Sequence, residues 1–353
     1  MLGFRKISII AKGHLLWVAG VLFLFSSCEP DKTEVPPSSF VEFERPEHFP
    51  APVYRFGKNK LTTEGFKLGR KLFYDPILSA SGTISCGSCH FQEAGFSDPG
   101  KALSTGINGK TGMRNAPALA NLAWFPAFMA DGGIGHIEVM PIAPITDSLE
   151  MGAPLKDVLS KLNNDAVYKS LFKEAFDVDS ISSQKLLYAL TQFMSMMISA
   201  ESKFDQQLLG KNVFTKTEER GYTLFKQNCA TCHSGALTTD FSFKNNGLDL
   251  YSKDPGRARI TQDDSDRGKF KVPSLRNVEL SFPYMHDGRF NTLEEVIDHY
   301  TVGIQPTPNL AEELKQPIVL SKYDKQDLIK FLTTLTDYNY ITNPLLASGK
   351  PNL

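Results

Sequence analysis

Apolar residues recur at helical spacing in several separate stretches, and polar, glycine-rich connections lie between them. In the earliest stretch Phe66, Leu68, Leu72 and Phe73 fall near one helix face, a threonine stands ready as cap, and Pro76 ends the pattern. Helical patterns return over 155–162 and over 183–204, the second apolar at Leu186, Leu187, Leu190, Phe193 and Met197. Met194, Met196 and Met197 on that stretch read as flexible core packing rather than as ligands. Thr215 with Glu218 three residues on forms a capping box, which predicts a helix running toward Cys229. A helix over 292–300 is capped by Asn291 or Thr292, and a last one over 325–335 is apolar at Leu328, Ile329, Phe331, Leu332 and Leu335. The stretch 90–117 is a glycine-rich loop, and 254–269, charged and rich in turn residues, reads as an exposed loop. The fold expected from this pattern is mainly α, with long loops.

The amino terminus changes the picture of where the protein works. Arg5, Lys6 and Lys12 precede an apolar run from Leu15 to Phe25, too short to span a bilayer core of roughly 30 Å, and Ser26-Ser27-Cys28 follows. This predicts a lipoprotein-type signal over 1–27 that delivers the chain to the periplasm or cell envelope, with Cys28 lipidated; an ordinary signal cut nearby is the alternative. The acidic, proline-rich stretch 28–52 reads as a flexible tether. At about 150 residues per domain the remainder suggests two domains, placed at 53–209 and 210–345. The formal net charge of the whole chain is −1, and nothing in it points to nucleic acid.

Cysteine usage supplies the chemistry. The chain has five cysteines, four of them in Cys86-Gly87-Ser88-Cys89-His90 and Cys229-Ala230-Thr231-Cys232-His233. Cys-x-x-Cys-His is the attachment signature of c-type haem, in which the thiols form thioethers and the adjoining imidazole binds iron. Half a zinc site would need a second ligand pair, which neither copy has nearby. Two covalent haems, with no thiol left for a disulfide, are therefore expected.

The ordered landmarks Leu68-Gly69-Arg70-Lys71-Leu72-Phe73, Arg114-Asn115-Ala116-Pro117, Asp131-Gly132, Pro144-Ile145, Glu150-Met151-Gly152, Leu275-Arg276-Asn277 and Pro283-Tyr284-Met285-His286-Asp287-Gly288, set around the two haem motifs, resemble the bacterial diheme cytochrome c peroxidases and their MauG-like relatives. The resemblance covers about residues 55–340. It implies two cytochrome c-like haem domains: an amino-terminal peroxidatic haem on Cys86, Cys89 and His90, and a carboxy-terminal electron-transfer haem on Cys229, Cys232 and His233. Glu150 matches the family's catalytic glutamate, a group able to move a proton between the oxygens of hydrogen peroxide. Asn115, Ser281 and Pro283 match positions that hold a calcium ion, a hard cation suited to oxygen ligands.

Three positions depart from the common peroxidase pattern. Asn108 stands where many relatives carry a histidine that blocks the peroxidatic iron, so the resemblance implies an open site here, with His48 and His136 as substitutes outside that loop. Tyr300 occupies the place of a methionine ligand to the second haem, as in MauG-like members, with His299 as the competing ligand. Ala130 replaces a tryptophan between the haems, and Trp124 is the nearby ring that either takes over or simply packs. The expected activity is peroxide reduction with electrons from a small cytochrome or other redox donor. The alternatives are a MauG-like oxidase acting on a partner protein and a non-catalytic diheme carrier. A lipid anchor as the sole membrane contact, and a homodimer, complete the expectations.

Overall fold

The computed structural model describes residues 43–349; the signal, Cys28 and most of the tether predicted above lie outside the described residues. The first lobe is built from α1 (Thr63–Tyr74), α2 (Ile142–Thr146), α3 (Leu155–Asn164), α4 (Ala166–Phe176) and α5 (Ser183–Ser195). The short α6 (Lys203–Leu208) leads to α7 (Lys216–Asn228), α8 (Ala258–Thr261), α9 (Leu293–Asp298), α10 (Lys322–Thr333) and α11 (Tyr338–Ile341). The one ladder among the described residues is two residues long: β1 (Phe243–Lys244) runs antiparallel to β2 (Phe270–Lys271), with Phe243 opposite Lys271.

Each lobe is organised on one crossing of two helices at a glycine. A Cβ at Gly69 of α1 would stand 1.9 Å from the Ala189 carbonyl oxygen of α5, and one at Gly221 of α7 would stand 2.0 Å from the Asp327 carbonyl oxygen of α10. Only glycine lets backbones approach this closely. Around the first crossing Phe66, Leu72, Phe73, Leu186, Leu190 and Phe193 are buried, and around the second Phe225, Leu328, Phe331 and Leu335. Each such side chain contributes about 1.5–3 kcal/mol through removal from water, which ties each loop-rich haem motif to a rigid pair of helices.

The caps follow the side chains available at each start. Thr62 Oγ1 accepts from the Gly65 amide at 3.0 Å to begin α1, and Thr215 and Glu218 cap α7 reciprocally as a box. The last segment then returns to the first lobe: Arg70 Nη1 donates to the Leu345 carbonyl at 2.9 Å, Tyr74 Oη to that of Leu346 at 2.7 Å, and the buried Tyr340 hydroxyl to Leu119.

Several local expectations change. The helix expected over 183–204 stops at Ser195, because Asn121 binds both the amide and the carbonyl of Ser199, each at 2.9 Å, and Asp337 takes the Glu201 amide. These side chains satisfy backbone groups that a continued helix would have used. Met194 and Met197 are buried in the first core, in keeping with a packing role. The pattern at Val167, Tyr168, Leu171 and Phe172 passed unread, yet it forms α4 with Asp165 as cap. The stretch 254–269 is not wholly an exposed loop, since Asp254 is buried against Arg114 and α8 forms within it. The cap before α9 is Thr292 rather than Asn291, and the last long helix starts at Lys322, three residues earlier than the apolar pattern suggested, from a Ser321–Asp324 box.

Candidate active site

In the first lobe Ser85 and Ser88 close a single tight turn over Cys86–Ser88, and the His90 amide donates to the Cys86 carbonyl at 3.0 Å. The turn therefore presents both thiols and the imidazole together. His90 Nδ1 lies 2.7 Å from the Phe96 carbonyl, and the Pro117 carbonyl also raises the basicity of the ring. Phe96 adopts a left-handed conformation (φ 61°) that aims this carbonyl back at the ring. A proton held on Nδ1 leaves Nε2 as the free lone pair, the tautomer a metal requires. Burial lowers the His90 pKa and keeps the ring neutral. Burial also pushes the Cys86 thiol up to about 12 and raises that of Cys89. Such thiols are poor thiolates, which fits covalent attachment better than a redox dithiol.

Glu150 is open to solvent, yet desolvation first and Asp147 second raise its carboxyl pKa. Its charge is felt at both Cys86 and Cys89, so it shares their surroundings. The Glu150 carbonyl accepts the Ile107 amide at 2.8 Å, which ties the catalytic candidate to the loop bearing Asn108. Asn108 itself is exposed at the tip of that loop in a left-handed conformation (φ 57°). Both substitute histidines have partners of their own. His48 is half-buried with Nε2 2.6 Å from Asp205, while His136 is an exposed residue whose Nδ1 accepts the Glu138 amide. Trp124 is buried among aromatic rings, including Phe43 and Phe49, and donates Nε1–H to the Pro50 carbonyl at 2.8 Å. That is a packing role.

The second lobe repeats the motif with a different opposite face. Cys229 ends α7, the His233 amide donates to the Cys229 carbonyl at 2.9 Å, and His233 Nδ1 lies 3.1 Å from the Pro273 carbonyl and 3.3 Å from that of Thr238. Burial again lowers the imidazole pKa and lifts the Cys229 thiol to about 12. Directly after α9 a single wide helical turn, His299–Gly303, shifts the register; such insertions often mark functional positions. Tyr300 falls within it, half-buried, its phenol pKa raised by desolvation and then by Cys229 and Cys232. The competing ligand His299 has Nε2 3.0 Å from the Asn246 carbonyl. Asn246 Nδ2 lies 3.5 Å from both Tyr300 Oη and Met285 Sδ.

Asn246 was invisible to motif reading, because nothing in its loop sequence marks it. Asp98 was missed likewise: it is buried, its carboxylate makes no hydrogen bond beyond a 3.5 Å ion pair with Lys101, and its charge raises the basicity of His90. Asn115 donates its side-chain amide to the Lys101 and Ala102 carbonyls, at 3.0 and 3.1 Å, and its backbone amide to His286 at 2.8 Å. Ser281 and Pro283 lie in the adjoining segment, where the Phe282 carbonyl accepts the Gly100 amide at 3.0 Å. Among the described residues no group of three or more His, Cys, Asp or Glu side chains forms a metal cluster. The four described cysteines are unpaired thiols, and each pair stands beside a neutral imidazole, a donor set that fits a covalently attached haem.

Comparison with known proteins agrees with this geometry. Residues 63–213 match the family model for di-haem cytochrome c peroxidase, and residues 218–336 match that for cytochrome c. The methylamine utilization protein MauG of Methylorubrum extorquens is 38% identical over 83% of this chain and 83% of its own length. Cytochrome c551 peroxidase of Nitrosomonas europaea is 33% identical over 76% of this chain and 79% of its own. The crystal structure of a MauG-like protein associated with microbial copper homeostasis superposes with a TM-score of 0.81 at 33% identity, covering 87% of this chain and 99% of that one. The chain thus belongs to the di-haem cytochrome c peroxidase family that includes MauG, and its two cytochrome c-like domains imply two covalently bound haem c groups.

Proposed function

We propose that the protein is a peroxidase that reduces hydrogen peroxide to water with electrons from a small cytochrome or other redox donor. Bound haem c supplies reversible one-electron chemistry at iron. Cys86, Cys89 and His90 would hold the first group. Cys229, Cys232 and His233 would hold the second, with Tyr300 as a further candidate ligand. The observation that carries the reading is Glu150, a solvent-open carboxyl of raised pKa that shares the surroundings of Cys86 and Cys89. It accepts a proton from one peroxide oxygen and delivers it to the other, so that the O–O bond breaks with water as leaving group. Two electrons and two protons per peroxide give two waters. Asn108, exposed at its loop tip, offers only a neutral amide, a poor iron ligand, and this supports a site open in the oxidised protein.

A second reading, oxidation of a partner protein, draws on Tyr300 and on the similarity to MauG. Ala130 speaks against it by placing no ring where the family has tryptophan, and Trp124 is committed to packing. A non-catalytic carrier is the weakest reading, since it leaves Glu150 and the open face without a use.

The domain limits 53–209 and 210–345, export to the periplasm or cell envelope, lipidation at Cys28, a calcium ion at Asn115, Ser281 and Pro283, and a homodimer belong to the same proposal. Their support is the sequence. Intact mass, metal content and light scattering of the purified protein check them.

The deciding experiment mixes untreated ferric protein with hydrogen peroxide and a reduced small cytochrome. Steady oxidation of the cytochrome, without prior reduction of the enzyme, is expected. Peroxide consumption that instead leaves the cytochrome reduced and modifies a protein partner would select the second reading.

A further inference from the structure

The two proximal histidines are held by the same device. Each ring bonds one carbonyl from its own loop, Phe96 for His90 and Thr238 for His233, and a prolyl carbonyl from a separate segment acts on it as well: Pro273 lies 3.1 Å from His233 Nδ1, and Pro117 raises the basicity of His90. The prolyl segments are anchored in a reciprocal way. Three residues before Pro117, Arg114 grips Asp254 of the second lobe with a two-pronged bond, Nε to Oδ2 at 2.6 Å and Nη2 to Oδ1 at 2.8 Å. Two residues before Pro273, Lys271 is fastened to the first lobe: its amide donates to the Ala130 carbonyl at 2.8 Å and its ammonium to the Ala127 carbonyl at 2.7 Å. The ammonium also lies 4.7 Å from the centre of the Phe125 ring. The two braces meet, because Arg114 Nη1 bonds Asp131 at 2.7 Å, directly after Ala130. Arg257 closes the joint by donating to the Asp131 and Gly132 carbonyls at 2.9 and 3.0 Å.

We propose that Arg114 and Lys271 are positioning residues that brace each lobe's proximal histidine from the opposite lobe, and that through them the lobe boundary sets the reduction potentials of both haems. The physical basis is the hydrogen bond at Nδ1. A firm acceptor makes the imidazole a more basic ligand, favours ferric iron and lowers the potential. Loosening the segment that carries the prolyl carbonyl weakens that bond and raises the potential. A direct charge effect has a different signature: removing a nearby cation disfavours the extra electron of ferrous iron and lowers the potential, while a charge-conserving change leaves it where it was.

The test is potentiometric titration of the diheme protein, following each haem by its own absorbance. Arg114→Lys keeps the charge but loses the planar two-pronged grip. It is expected to raise the potential of the amino-terminal haem and to leave the other within error. Lys271→Met keeps the length and apolar packing over Phe125 and removes the ammonium. It is expected to raise the potential of the carboxy-terminal haem even though a cation has been lost. An unchanged amino-terminal potential in Arg114→Lys, or a lowered carboxy-terminal potential in Lys271→Met, would overturn the proposal. The inference rests on His90 and His233 as axial ligands but not on peroxide turnover. An error in the ligands would appear in the spectrum of the parent protein, before any variant is made.

Discussion

The two lobes carry the same Cys-x-x-Cys-His motif, each beside its own glycine-crossed pair of helices, and differ in what gathers around that motif. The first lobe sets an exposed carboxyl, Glu150, and an exposed amide, Asn108, on loops that are bonded to each other. The second brings in a half-buried phenol, Tyr300, on a wide helical turn beside an amide and a thioether. An open face with a proton carrier suits bond breaking, whereas a closed face suits electron storage. The proposed division of labour between the lobes would then rest on these few positions.

The largest expected effect falls on Glu150. Glu150→Gln keeps the shape and removes the proton acceptor, so peroxide turnover should fall about 10²-fold, with haem content and spin state unchanged. The raised carboxyl pKa also fixes the acid limb of the parent. Activity carried by the carboxylate is complete above the folded pKa and is lost as pH falls through it, so the limb should lie above the ordinary carboxyl value of 4.5. In the Gln variant that limb should vanish. A Gln variant as fast as the parent would break the contrast between the lobes at its centre.

This contrast was only partly legible in the sequence. The haem motifs, the Thr215–Glu218 box and the helical runs are local signals, each resolved within a few residues, and α1, α7 and α10 appear close to where those signals put them. What was lost is non-local. The end of α5 at Ser195 depends on Asn121 and Asp337, distant in sequence. Asp254 looks like one more charge in a turn-rich stretch until Arg114, 140 residues away, buries it. Asn246 acquires meaning only because the wide turn at His299–Gly303 brings Tyr300 to it.

An intermediate effect is expected at Asn108, where the difference between the lobes can be erased. Asn108 has φ 57°, a region in which histidine is also accepted more readily than most residues, so Asn108→His should fold without new strain. A histidine supplied there can give the first lobe a second strong ligand, the role proposed for Tyr300 in the second. The oxidised parent should show a high-spin signal by electron paramagnetic resonance. The variant should move toward low spin and need reduction before it reacts with peroxide. A parent that is already wholly low-spin would show that some other group closes the first lobe.

The smallest effect concerns the scaffold the lobes share. Gly221→Ala places a methyl 2.0 Å from the Asp327 carbonyl oxygen and 2.8 Å from Phe331 Cβ. Neither neighbour is the end of a flexible chain, so α7 and α10 must move apart. Over-packing of this kind costs about 1–3 kcal/mol, and the better helix propensity of alanine returns up to about 1 kcal/mol of it. Gly69→Ala meets the Ala189 carbonyl oxygen at 1.9 Å and Phe193 Cβ at 2.9 Å, and should incur a similar cost. The consequences should differ, because the first core gathers α1, α3, α4, α5 and the returning tail, while the second rests largely on α7, α9 and α10. Thermal melts followed separately at each haem's absorbance should show Gly221→Ala loosening the carboxy-terminal haem first, with the amino-terminal signal holding to higher temperature. If both signals fall together in both variants, the cross-braces at Arg114 and Lys271 join the lobes into one cooperative unit, and the division of labour between them is chemical without being mechanical.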